Sequence, residues 1–585
     1  MIIQSINDIA EICTRLGVKE AVLSPGSRSA PLTLAFARHP GISCRVIGDE
    51  RSAAFVALGM AQTSNRPVAI VCTSGSAAYN YAPAIAEAFF NQVPLLVFTA
   101  DRPPEWIDQL DGQTIRQNNI YGQHIKASFT FPVDTSHADA TWHAHRQISE
   151  AVGQANAYPA GPVHVNVPVR EPFYPGEGEH YGYAESLRVT ESLTGTPILN
   201  ESQKEKLAEE WAGYSRILVI AGQQTKEPAL AATLREMADK TGATVMGDIL
   251  SNIHGLPQAI RRQDTFLSAL SEEELERLRP DLLITVGRSV IAKNLKLFLR
   301  KYRPDAHWHI QPSGVVADTY QSLTKVIHSG EATTLEWLAT LGADNEFTER
   351  KRANYSLLWT SLEKAAERGL QKWAKEDRAL GEFEAVYEII KTLPQNTHLH
   401  LANSMPVRYA NICGLAAERH DISVYANRGT SGIDGCTGTA VGCALETEDP
   451  VVLLTGDMAF FYDRNSLWHG HLPKNLRIVI LNNHGGGIFR LINGPSSQPE
   501  LETYFETEQP LKAENTAREL GLDYYFCREK SRLFTALTLF MEPSDKPALL
   551  EVETESVYNA EVFKVYKAFM KKHLNESDKP SSPTA

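Results

Sequence analysis

The chain reads as an α/β protein built from three doubly wound parallel-sheet domains. Two observations carry most of this: apolar runs of strand length that end abruptly in small or polar residues, and helix-period segments between them. A third is size, because 585 residues exceed what one core organises. The clearest runs are 451–458 and 476–483. A continuous apolar run is how a strand buried on both faces reads, and its carboxyl end opens into a crevice where open α/β sheets bind ligands.

In chain order, strands are expected at 21–23, 44–47, 68–72, 95–99 and 161–168. The early ones break into Ser24-Pro25-Gly26-Ser27-Arg28, Gly48-Asp49-Glu50-Arg51, Thr73-Ser74-Gly75-Ser76 and Ala100-Asp101-Arg102-Pro103-Pro104. This is a first domain, residues 1–180. A polar passage over 176–203, rich in Gly, Glu and Ser, reads as a linker. A second α/β unit, 200–345, has strands at 216–222, 243–246, 281–287 and 307–310. A charged helical stretch over 348–382 leads to the third, 380–572, with strands at 398–401, 423–426 and 547–552 beside the two long runs. Residues 573–585 are expected to be a disordered tail.

Composition narrows the function. A net charge of −13 argues against a nucleic-acid surface and against adhesion to anionic membranes. No apolar run reaches membrane-spanning length, and the first residues lack a basic region followed by an apolar core. Seven scattered cysteines without CxxC spacing indicate buried thiols and a cytoplasmic setting.

Asp457 and Asn483 stand at the ends of the two long runs, about two dozen residues apart. Two hard oxygen donors at one crevice suit Mg²⁺, which completes its shell with water and phosphate oxygens. Mn²⁺ accepts the same donors. Gly485-Gly486-Gly487 lets backbone come close to a ligand. The plain alternative is an N-capping Asp457 and a turn built by Asn482-Asn483. Glu50, at the mouth of a helix, is either an acid stabilising that helix end or a proton-handling carboxyl group. Arg28, Arg102, Arg408 and Arg428 sit at strand ends or loop mouths, which in an acidic protein suggests carboxylate recognition by bidentate forks.

The Gly456-Asp457 and Asn482-Asn483 pair resembles the thiamine-diphosphate signature, except that Met458 stands where Gly is usual. Further stretches occur in order: Ser24–Leu32, Gly48–Ala53, Thr99–Glu105, Gln113–Gln117, Asn427–Gly435 and Asn482–Phe489. Together they resemble the 2-succinyl-5-enolpyruvyl-6-hydroxy-3-cyclohexene-1-carboxylate (SEPHCHC) synthases of menaquinone biosynthesis, colinearly over nearly the whole chain. In that family an apolar residue commonly follows Gly-Asp.

The resemblance implies a transferase that decarboxylates 2-oxoglutarate and adds the resulting carbon nucleophile conjugately to isochorismate. It implies thiamine diphosphate with Mg²⁺ or Mn²⁺. Glu50 would activate the cofactor. Asp457, Asn483 and the Gly485 carbonyl would ligate the metal. Gly432, Ile433, Gly456 and Ser404 would complete the cofactor site, with Ile433 propping its bent shape. Ser404, Arg408 and Arg428 would join Glu50 as catalytic groups. Ser27, Arg28, Arg102, Gln113, Lys293, Arg408, Arg428, Ile488 and Phe489 would bind substrate. The family often has Lys-Arg where this chain has Lys293-Asn294. Glu50 and the metal are expected to meet across two subunits, so a homodimer is the minimum unit and a tetramer fits as well. Two rivals are an acetohydroxyacid-type enzyme carrying FAD and an inactive binding subunit. A dinucleotide-binding reading fails because no strand is followed by GxGxxG.

Overall fold

The computed structural model describes residues 4–171, 173–177 and 181–576. They form three parallel sheets. The first contains β1 (Glu20–Leu23), β2 (Ser43–Val46), β3 (Val68–Cys72), β4 (Leu95–Asp101), β5 (Ala127–Thr130) and β6 (Val163–Pro168), ordered β2-β1-β3-β4-β6-β5. The second contains β7 (Ile217–Ala221), β8 (Thr244–Gly247), β9 (Leu282–Val286), β10 (Ala306–Gln311) and β11 (Lys325–His328), ordered β11-β10-β9-β7-β8. The third contains β12 (His398–Leu401), β13 (Ser423–Tyr425), β14 (Val451–Gly456), β15 (Leu476–Asn482), β16 (Asp523–Cys527) and β17 (Ala548–Glu553), ordered β13-β12-β14-β15-β17-β16.

The topology places the crevices. In the third sheet the chain leaves β12 for β13 on one side and returns to β14 on the other, so the order reverses between β12 and β14. Ligands bind at such a switch point. Parallel register sets Gly456 of β14 opposite Leu481 of β15, which brings Asp457 and Asn483 to the same edge. The first sheet reverses in the same way between β1 and β3. Gly26 after β1 is pressed against Thr73 after β3, where a Cβ would stand 2.3 Å from the Thr73 Cβ.

Two helices that are buried on nearly every side join the first and third domains. Glu50–Ser64 is capped by Asp49, whose carboxylate accepts from the Ser52 amide at 3.0 Å, and Asn65 ends it in the left-handed region. Its residues from Ser52 to Ala61 are all buried against Cys436–Leu445, which is itself apolar all round. Glycine permits the close crossing. A Cβ on Gly59 would lie 2.0 Å from the Thr439 carbonyl oxygen, and one on Gly442 would lie 2.0 Å from that of Val56. Gly442→Val should therefore destabilise by about 1–3 kcal/mol or more. Chemical denaturation would show a lowered midpoint, and an unchanged midpoint would contradict the packing.

The helix Glu346–Ala374 fuses the second and third domains by burying Tyr355, Trp359, Leu370 and Trp373 in one core with residues of both. The described part of the expected linker from residue 181 on packs against the first domain, where Tyr183 donates to the Ala35 carbonyl at 2.7 Å. It ends where Asn200 and Gln203 form a capping box for Glu201–Ala212. Residues 573–576 of the expected tail belong to the last helix. The last helix runs to Glu576, because Leu574 still reaches the core. Residues 577–585 lie outside the described residues. All seven cysteines are free thiols, and all but Cys44 are buried. Among the described residues no helix is long and apolar enough to cross a membrane.

Candidate active site

At the β14 edge, Gly456 occupies the N-cap position of Asp457–Asp463, which puts Asp457 in the first turn, its carboxylate bonded to the Met458 amide. Asp457 is therefore not the N-cap residue, although it still faces the helix end. Its carboxylate is buried, with a pKa pushed up to about 6 chiefly by that burial. It accepts from the Gln509 side-chain amide at 2.7 Å, and no Lys or Arg among the described residues pairs with it. Both asparagines build the turn, each accepting from the amide two residues on. Asn482 is buried, donates to Glu551 at 2.6 Å and accepts from the His484 amide at 3.1 Å. Asn483 faces the crevice, donating to Glu382 at 2.5 Å while its oxygen accepts from the Gly485 amide at 3.1 Å.

The glycines serve close approach. A Cβ on Gly485 would stand 3.0 Å from Glu506, and one on Gly487 would stand 2.9 Å from the Asn483 amide nitrogen, whereas beyond Gly456 there is open space. A buried carboxylate without a Lys or Arg partner, an amide oxygen and a backbone carbonyl are hard donors that fit Mg²⁺ and a diphosphate. Glu382, buried behind Asn483, has a pKa raised to about 7, mainly by burial.

At the neighbouring β12 edge, Ser404 adopts a left-handed backbone with φ 72°, a strained conformation for a non-glycine residue. Its carbonyl accepts from Arg408. Asn403, which carried no assigned role, ties this edge together. Its amide donates to the Asn427 and Gly432 carbonyls at 2.7 Å each, and its oxygen accepts from Arg428 at 2.9 Å. Ser404, Arg408, Arg428, Gly432 and Ile433 are thus gathered around one buried amide. Ile433 is 39% exposed, an apolar side chain left standing in the crevice.

Burial, with Arg428 close by, holds the Arg408 guanidinium below its ordinary pKa. Burial does the same to Arg428 against the pull of Asp248 and Glu87. Two half-buried guanidiniums facing one crevice make an anion site. Lys293 is exposed, and Asn294 is spent on Asp264, its side chain donating to that residue's carbonyl at 2.8 Å. Lys296 is half-buried and lies within the electrostatic field of Arg428 and Asp248. Helical spacing could have found it, since Leu295, Phe298 and Leu299 mark the buried face and Lys296 borders that face.

Ile488 and Phe489 lie half-buried on the turn Gly487–Leu491, with the Phe489 ring 5.9 Å from that of Phe505. Arg490 anchors this turn to Glu502 and Glu506, at 3.0 Å each.

The remaining residues line the first sheet's carboxyl edge. Asp49 does the capping, and Glu50 follows it in the first turn, where its charge still suits the helix end. Half-buried, it accepts from Asn80 at 3.3 Å. Arg28 is buried, donating to the Val169 carbonyl at 2.9 Å beneath the Phe173 ring. Arg102 pairs with Asp111 at 2.8 Å and donates to the Gly112 carbonyl at 2.8 Å. Ser27 and Gln113 are exposed, and Gln113 has φ 56°. Among the described residues no hydrogen bond or ion pair joins Ser27, Arg28, Glu50, Arg102 or Gln113 to Asp457, Asn483, Arg408 or Arg428. The expected residues thus fall into two halves, one at the first sheet's edge and one at the third's.

Comparison with known proteins identifies the halves. Residues 6–123 match the N-terminal binding domain of thiamine pyrophosphate enzymes, 194–401 their middle domain and 411–552 their C-terminal binding domain. A relative from Cytophaga hutchinsonii is 44% identical over 96% of this chain and 98% of its own length. One from Flavobacterium johnsoniae is 37% identical over 95% and 97%, and one from Desulfotalea psychrophila 37% identical over 94% and 98%. All three are named 2-succinyl-5-enolpyruvyl-6-hydroxy-3-cyclohexene-1-carboxylate synthase. Three parallel-sheet domains, the Asp457–Asn483 edge and likeness along the whole chain place this protein in the SEPHCHC synthase family of thiamine pyrophosphate enzymes.

Proposed function

We propose that this chain catalyses the reaction its relatives' name describes: thiamine-diphosphate-dependent decarboxylation of 2-oxoglutarate and conjugate addition of the resulting carbon nucleophile to isochorismate, in menaquinone biosynthesis. The observation that carries the reading is the pair Arg408 and Arg428, held beside Ser404 at the edge next to Asp457. A monocarboxylate needs one such fork. Substrates bearing several carboxylates use both, which disfavours the acetohydroxyacid-type alternative.

Thiamine diphosphate, when bound, supplies the electron sink that a 2-oxo acid needs to lose carbon dioxide. Asp457, Asn483 and the Gly485 carbonyl hold Mg²⁺ or Mn²⁺, and Gly432, Ile433, Gly456 and Ser404 border the cofactor. Glu50 holds a proton at the cofactor's ring nitrogen. Arg408, Arg428 and Ser404 orient the reacting acid, with Lys293 and the half-buried Lys296 adding positive charge from the second domain. Ser27, Arg28, Arg102 and Gln113 line the opposite wall, while Ile488 and Phe489 exclude water from the reacting carbon. Each complete site takes its first wall from a second copy, so the working unit is a homodimer or a tetramer of two dimers, in the cytoplasm. Residues 1–180, 200–345 and 380–572 are the corresponding domains.

The test is incubation with Mg²⁺, thiamine diphosphate, 2-oxoglutarate and isochorismate, following loss of isochorismate absorbance and release of carbon dioxide. Equal rates are expected. Decarboxylation that leaves isochorismate untouched would overturn the reading. Arg408→Ala should lower kcat/KM by roughly 10- to 100-fold, the worth of a charge-assisted hydrogen bond. Steady-state kinetics with each substrate varied would check it.

A further inference from the structure

A buried carboxylate outside the assigned machinery meets the substrate loop from another domain. Glu87 lies on the first-domain helix Ala82–Asn91 and is fully buried. It accepts from the Gly429 amide at 2.8 Å, from the Thr430 amide at 2.7 Å and from the Thr430 hydroxyl at 2.7 Å. A fourth bond, from Asn91 at 2.6 Å, fixes its orientation. Asn91 also accepts from Gln223 of the second domain at 3.2 Å, and Gln223 donates to the Ala426 carbonyl at 3.0 Å. The three domains converge on the loop that carries Arg428.

That loop fits tightly. A Cβ on Gly429 would lie 2.8 Å from the Glu87 carbonyl oxygen and 3.0 Å from the Phe90 Cβ. On its other side Asn403 takes the Asn427 carbonyl and the Arg428 guanidinium. Arg428 is therefore held between a carboxylate on the two residues that follow it and an amide on its own side chain. A carboxylate suits the place because all four partners donate and two of them are backbone amides that cannot turn away. A neutral amide in its place turns one acceptor into a donor aimed at a donor.

We propose that Glu87 is a positioning residue for substrate: by fixing the Gly429 and Thr430 backbone, it sets the direction in which Arg428 presents its fork to the substrate carboxylate. This rests on the assignment of Arg428 to substrate. It separates from mere stapling of domains, because stapling predicts lost stability without selective loss of substrate affinity.

The experiment is a double-mutant cycle in the full-length holoenzyme, combining Glu87→Gln with Arg428→Lys and reading KM for both substrates, kcat and melting temperature. Glu87→Gln should raise KM for the substrate that Arg428 holds by about tenfold, with kcat within about twofold. The double variant should be no worse than Arg428→Lys alone. Additive losses would overturn the proposal while leaving Arg428 in place. An unchanged KM in Arg428→Lys would overturn the Arg428 assignment and the proposal with it. Thr430→Val, which removes only the hydroxyl, runs in the same cycle and decides the matter should Glu87→Gln not fold. It should raise the same KM by a few-fold, and no change would count against Glu87.

Discussion

Glu50→Gln should lower decarboxylation of 2-oxoglutarate by about 10²- to 10⁴-fold, the usual worth of a positioned proton-transfer group. The substitution keeps the shape and removes the exchangeable proton. It also leaves the fold intact, because Asp49 rather than Glu50 accepts from the Ser52 amide and caps the helix. Glutamine can still accept from Asn80 through its own oxygen. A surface-like exchange of this kind changes stability by no more than about 0.5 kcal/mol. Rate and stability thus separate, and so do rate and cofactor affinity, since the groups assigned to the metal lie in another domain. Stopped assays of carbon dioxide release, beside calorimetric titration of thiamine diphosphate with Mg²⁺, would measure both. Turnover near wild type would remove Glu50 from the mechanism.

Burial governed which parts were legible in the sequence. Strands closed on both faces, such as β4, β14 and β15, read as unbroken apolar runs and stand where those runs do. The strands without an expectation are β5, β11 and β16, and each lies at the edge of its sheet. An edge strand has one partner and solvent on its flank, so its residues are mixed: Lys325-Val326-Ile327-His328 alternates exposure and carries charge. The site divides in a similar way. Asp457 and Asn483 follow strands and announce themselves. Asn403, Gln509, Glu382 and Glu87 act across distances of 24 to more than 300 residues in sequence, through bonds to backbone or to the side chains of Asp457 and Asn483. Short-range patterning holds no signal for them. Only the convergence of sheet edges, set by topology, brings them to the same place.

Asp457→Ala should abolish Mg²⁺-dependent cofactor binding, and mixing it with Glu50→Gln should restore activity. The first half follows from the donor set. Removing the one carboxylate leaves two neutral oxygens for a divalent cation, and the diphosphate loses its counter-charge. The second half follows from the proposal that each complete site draws on two copies. Within one chain no hydrogen bond or ion pair among the described residues connects Glu50 with Asp457, although Asp49 and Arg51 beside it contact Asn465 and the Tyr462 carbonyl at 2.9 and 2.8 Å. On that proposal the acid serves a metal held by another copy. In a mixed dimer one site then has both defects and the other has neither. Random re-association of the two inactive variants should recover about a quarter of the wild-type rate, from one competent site in the half of dimers that are mixed. If both groups instead act within a single chain, every site in the mixture carries one defect and the rate stays at the level of the singles. Refolding or co-expression of differently tagged chains, followed by isochorismate consumption, distinguishes the two outcomes directly.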